Sequence, residues 1–136
     1  MQFDTKIAVV LRDDLAVWQK ANVTAFLVSG IAGTAPETVG ERYRDASGNT
    51  YLPMFRQPVM VYAADGAGVR RAYERAMQRD VELAVYTHEL FATGHDEANR
   101  DAVAAVAAED LDLVGIAFRA DRKLADKVLD RLRPHP

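Results

Sequence analysis

The chain has 136 residues, 49% of them hydrophobic, a formal net charge of −3 and no cysteine. That size suits one domain over residues 1–136 with its own core, and the missing thiols exclude disulfides, thiolate nucleophiles, zinc–thiolate centres and Cys-ligated iron–sulfur clusters. The acidic balance argues against a nucleic-acid partner, no apolar run reaches the roughly 20 residues that span a bilayer, and the start Met-Gln-Phe-Asp-Thr-Lys lacks a signal pattern, so a cytoplasmic protein is expected.

Ile7 to Leu11 is a continuous apolar run that reads as a buried strand. Asp14 is placed to cap the next helix, in which Val23, Phe26, Leu27 and Ile31 recur at the spacing of one face. Gly30 and Gly33 weaken the end of that helix and Pro36 stops it. Residues 34–57 are irregular, and Asp45-Ala46-Ser47-Gly48-Asn49 between Tyr43 and Tyr51 reads as a hairpin tip or an ordered excursion.

Val59 to Ala63 is a second buried strand. Asp65 then caps a helix from about Ala67 to Arg79, with Val69, Ala72, Tyr73, Ala76 and Met77 inward. Leu83 to Tyr86 is a third strand, after which Thr87 caps a short turn to Phe91. Thr93-Gly94-His95-Asp96 opens an alanine-rich helix that ends near Val106. Asp112 to Phe118 is a fourth strand, with Gly115 for close packing, and Asp121 opens a last helix carrying Leu124, Val128, Leu129 and Leu132. Arg70-Arg71 and Arg119-Arg122-Lys123 are the densest basic spots and read as solvated helix faces or termini. Alternating strands and helices predict an α/β fold with a mostly parallel sheet covered on both faces.

Val-Leu-Arg-Asp-Asp-Leu at 10–15, Pro-Val-Met-Val-Tyr at 58–62, Ala-Val-Tyr at 84–86 and Leu-Val-Gly-Ile-Ala at 113–117 together resemble the type-2 peptidyl-tRNA hydrolase superfamily. Within it, the chain more closely resembles a mainly bacterial family, domain of unknown function 2000. That likeness rests on Trp-Gln-Lys-Ala-Asn-Val-Thr-Ala-Phe-Leu at 18–27, Leu-Pro-Met-Phe-Arg-Gln-Pro at 52–58, Phe-Ala-Thr-Gly-His-Asp-Glu-Ala-Asn at 91–99 and Leu-Asp-Leu-Val-Gly-Ile-Ala at 111–117. The resemblance implies a three-layer α/β/α domain on a four-stranded mixed sheet with the last strand antiparallel, and a homodimer. It also implies ester cleavage on peptidyl-tRNA, but the motif residues of the hydrolases are exchanged. Lys20 matches one lysine and Asn22 stands for a second; Phe26 replaces a Gln, Ser29 a His, Thr87 an Asp, and His88-Glu89 an Ala-Gly pair.

The candidate site is therefore the rim where the first and third strands end, the usual ligand edge of an open α/β sheet. Lys20 grips an anion near a helix start, or is a solvated lysine. Asn22 fixes a ligand through both amide groups, or caps the helix. His88 acts as a base oriented by Glu89, or sits in an ordinary surface turn. Lys20, His88 and Glu89 are the catalytic candidates; Asn22, Thr87, Asp14, Trp18 and His95 are the ligand-binding ones. No cofactor is expected, and with three His in the chain a metal centre is not expected either. No phosphate-loop, dinucleotide, nucleophile-elbow or zincin motif is present. The readings left open are a small-ligand protein, a divergent peptidyl-tRNA or related ester hydrolase, and a non-enzymatic dimeric module.

Overall fold

The computed structural model describes residues 3–136. The chain runs through β1 (Thr5–Arg12), α1 (Val17–Thr34), β2 (Tyr43–Arg44), β3 (Thr50–Tyr51) and β4 (Val59–Ala64). It continues through α2 (Gly66–Gln78), β5 (Ala84–Thr87), α3 (Asp96–Ala104), β6 (Leu113–Asp121), α4 (Arg122–Val128) and β7 (Arg133–Pro134).

The main sheet has the order β5-β6-β1-β4-β7. β4 lies parallel to β1, while β6 is antiparallel to both β1 and β5, so β1, β4 and β5 run the same way. β1 and β6 are central and buried over most of their length, as expected of strands covered on both faces. Ile7, Val9 and Leu11 face α1, where they meet Val23, Leu27 and Ile31. Ala8 and Val10 face α2 and α4, where they meet Val69, Ala72, Phe118 and Val128. This gives the three α/β/α layers.

The sheet has five strands, not the four expected. Arg131 adopts a left-handed backbone with φ 66°, which turns the chain back along β4. Arg133 and Pro134 then pair with Ala63 and Tyr62, and the His135 N–H donates to the Val61 carbonyl at 2.9 Å. Two paired residues, one a proline, carry no period that could announce a strand.

Local details also depart from expectation. Asp14 does not cap α1: its carboxylate is taken by Arg12 at 2.6 Å, and the free Ala16 N–H donates instead to Gln19 Oε1 at 2.9 Å. Neither Thr87 nor Asp121 supplies a side-chain cap. Asp65 does, accepting from the Gly68 N–H at 2.8 Å. Phe26 and Met77, both assigned to the core by spacing, are more than half exposed. Arg70 is not a solvated charge, because it donates to the Ala108 and Leu111 carbonyls at 2.9 and 2.6 Å and so pins the connector ahead of β6.

The tip between β2 and β3 is an ordered hairpin. The Asp45 carboxylate accepts from the Tyr51 hydroxyl at 2.7 Å, from Asn49 Nδ2 at 3.0 Å and from the Ser47 and Asn49 N–H groups at 2.9 and 3.0 Å. These bonds, the Tyr51 hydroxyl foremost, hold the Asp45 carboxyl at about 2, against an ordinary 3.8. A lowered carboxylate stabilises its loop above the ordinary value and loses that contribution as pH falls through the lowered one. The hairpin tip is thus expected to loosen between pH 3.8 and about 2. In an NMR titration the Asp45 carboxyl carbon should show a midpoint near 2, and Tyr51→Phe should move it back toward 3.8.

Candidate functional site

Trp18, Asn22, Phe26 and Gly30 follow one another at four-residue intervals, so they form one stripe along α1. The stripe faces β5 and the segment beyond it. Tyr86 on β5 and Phe91 on the short 3₁₀ turn His88–Ala92 form a floor, their ring centroids 5.1 Å apart. Trp18 stands at 70° to Phe91, and Phe26 at 66° to Tyr86, each at 6.0 Å between centroids. Edge-to-face contacts of this kind suit the quadrupole of aromatic rings. Burial pushes the Tyr86 phenol up from its ordinary value.

The opposite wall is α3 with the loop before it. His95 caps this helix, its Nδ1 accepting from the Ala98 N–H at 3.2 Å, and the Thr93 hydroxyl, which donates to the Leu90 carbonyl at 2.9 Å, also meets the Asn99 amide. Between the walls lie two overlapping hollows of about 580 and 470 Å³. They share Phe26, Tyr86, Leu90, Asp96 and Asn99 and form one groove. Such volumes lie within the range of small-molecule sites. α3 contains no buried residue. Its amides should therefore exchange with solvent deuterium before those of α1 and α2, and equal protection in all three helices would contradict that reading.

Beside the groove, the rim of β1 and β5 carries a separate ionic cluster. Arg12 bonds Asp14 at 2.6 Å and Asp112 at 3.0 Å, and the His88 N–H donates to the Asp112 carbonyl at 2.9 Å. Burial opposes the Arg12 charge, but the bond to Asp14 and the attraction of both carboxylates outweigh it, so the guanidinium is held above its ordinary value. The Arg12 hydrogen bond lowers Asp14 in turn, with a smaller contribution from His88. Phe91 links the two regions, since its ring also meets the His88 ring at 5.8 Å.

The structure therefore brings Asp14 and His88 to one rim, and Trp18, Asn22 and His95 to one groove. It does not unite the three catalytic candidates. Lys20 Nζ lies 3.1 Å from His135 Nε2, and His135 follows β7 at one margin of the sheet. His88 follows β5 at the other margin. Glu89 is exposed and lies outside the groove lining. Thr87 is 1% exposed, and its hydroxyl has no hydrogen-bond partner. Phe26, Tyr86 and Phe91 were not among the sequence candidates. Trp18 and Phe26 flanking Asn22 at four-residue spacing was a signal available in the sequence. Among the described residues no group of three or more His, Asp or Glu side chains is placed to hold a metal ion, and no helix is long and apolar enough to cross a membrane.

A family described as protein of unknown function, DUF2000, matches residues 5–136. The chain belongs to the DUF2000 family. A solved structure from Agrobacterium tumefaciens strain C58, a protein of unknown function named Atu0240, is similar throughout. Its sequence is 50% identical, the match covers 99% of this chain and 100% of that one, and the TM-score is 0.96. No curated protein matches.

Proposed function

We propose that this DUF2000 protein binds a small, largely apolar ligand in the groove between α1, β5 and α3. The observation that carries the reading is the four-ring arrangement of Trp18, Phe91, Tyr86 and Phe26 around an open hollow. Trp18 and Phe26 are 63% and 54% exposed on one helix stripe. Large rings left half in water are unusual unless something covers them. The fold itself is proposed to be of the type-2 peptidyl-tRNA hydrolase kind, on the strength of one long antiparallel strand, β6, set between parallel β1 and β5. Hydrolysis of the ester is not part of the proposal, because Lys20 and His88 lie toward opposite margins.

Trp18 is the single tryptophan, so its fluorescence reads the groove directly. A screen of small aromatic compounds is expected to give saturable changes in Trp18 emission that Phe26→Ala removes. Phe26 is more than half exposed, so this variant should keep its stability to within about 1 kcal/mol. A library that leaves both Trp18 emission and the Phe26 ring resonances unchanged at millimolar concentration would overturn the reading.

A second reading, self-association into a homodimer, is favoured by the apolar surface at Tyr51, Leu52 and Met54, which are 52%, 72% and 58% exposed. Sedimentation over a range of concentrations tests it, and a monomer at every concentration counts against it.

A further inference from the structure

We infer that the ligand of this groove is a neutral, planar heteroaromatic whose edge carries both a hydrogen-bond donor and an acceptor, the chemistry of a nucleobase. This rests on the reading of the groove as a ligand site and adds its chemical class.

Asn22 stands one helical turn from Trp18 on one side and one turn from Phe26 on the other. The two rings are about 12 Å apart along the helix axis, which leaves room for a one- or two-ring system between them. Trp18 stands at 70° to Phe91 and Phe26 at 66° to Tyr86, while Tyr86 and Phe91 are tilted 49° to each other, so a flat molecule can stack on one ring face and meet the others at an angle. Base–aromatic stacking of this kind tolerates any ring with a π-face.

Asn22 offers an NH₂ donor and a carbonyl acceptor on one planar side chain, the pair that reads a donor–acceptor edge. Across the groove Asn99 adds a second amide, set beside the Thr93 hydroxyl. A purely hydrocarbon ligand would bury these amides without partners, and that is costly.

The charged residues lining the groove are Asp96 and Arg100, and they pair with each other one turn apart on α3. His95 Nδ1 is taken up by the helix cap. The lining therefore offers no unpaired fixed charge to neutralise a charged ring system, which selects for a neutral one.

Adenine and hypoxanthine serve as probes, with naphthalene as a two-ring control that lacks a hydrogen-bonding edge. Binding is followed by NMR through the side-chain amide resonances of Asn22 and Asn99 in the wild type and of Asn99 in Asn22→Leu, which keeps volume and removes polarity. The expected result is that the bases shift both amides and that Asn22→Leu weakens them by about tenfold, with naphthalene binding unchanged. Naphthalene binding as tightly as the bases, with Asn22→Leu affecting neither, would overturn the class and leave the groove as a ligand site. Displacement of the bases by a tighter-binding apolar peptide would also overturn it. If no probe perturbs the groove resonances, the class falls, and a failed aromatic screen would take the groove reading with it.

Discussion

Phe118→Ala is expected to destabilise the protein by about 3–5 kcal/mol. Phe118 is 0% exposed and heads the fully buried side chains by volume. It sits on β6, faces α2 and α4, and belongs to the cluster with Ala8, Val69, Ala72 and Val128. Truncation removes a ring from water-free packing and leaves a cavity that the central strands cannot collapse, because β6 is held on both sides by β1 and β5. Against a typical total of about 5–15 kcal/mol, this is a large fraction. Urea denaturation should show a lowered midpoint with an unchanged slope. A loss under about 1 kcal/mol would mean that the α2–α4 layer closes over the gap, contrary to the packing described.

Gly115→Ala acts on the opposite face and in the opposite sense, by crowding. A Cβ at this position would lie 2.9 Å from Val23 Cγ1, 3.1 Å from Leu27 Cδ1 and 3.3 Å from Leu11 Cδ2. Val23 is β-branched and has little rotamer freedom in a helix, so it cannot swing away. The cheapest relief is an outward shift of α1. Overpacking of this kind costs about 1–3 kcal/mol. Because α1 carries Trp18, Asn22 and Phe26, the shift should also change Trp18 emission in the folded state. Denaturation and the native emission spectrum check the two effects together. Unchanged stability with unchanged emission would refute the close approach of β6 and α1.

The elements were legible because their signals are local. Ile7–Leu11 and Leu113–Ala117 are too apolar to be anything but covered strands, and Asp65 ahead of Gly66–Gln78 is an ordinary helix cap. The close approach at Gly115 was legible too, since a glycine in a buried strand marks crowding. Phe26 was misplaced because its spacing with Val23, Leu27 and Ile31 satisfies the helical period as well as a core residue would. Periodicity assigns a face, but it does not say where the neighbouring element ends. Here the sheet covers Val23 and Leu27 and leaves Phe26 to the groove.

The site was legible in part. Trp18, Asn22 and His95 were singled out from residue type and position, and they line one hollow. Lys20 was singled out in the same way, yet it turns to His135, 115 residues further on. Nothing local encodes that contact. It depends on β7 returning along β4, which follows from the turn at Arg131.

Hydrophobic patterning, the Asp65 cap and the absence of cysteine thus determined the α/β class, the alternation of strands and helices and the chemistries ruled out, since each is set by residues adjacent in the chain or by composition alone. Strand order, the fifth strand, the pairing of Arg12 with Asp112, and the meeting of Trp18, Phe26, Tyr86 and Phe91 were decided only by the tertiary structure. Those features arise where distant segments compete for the same partner, and the winner is set by packing rather than by period.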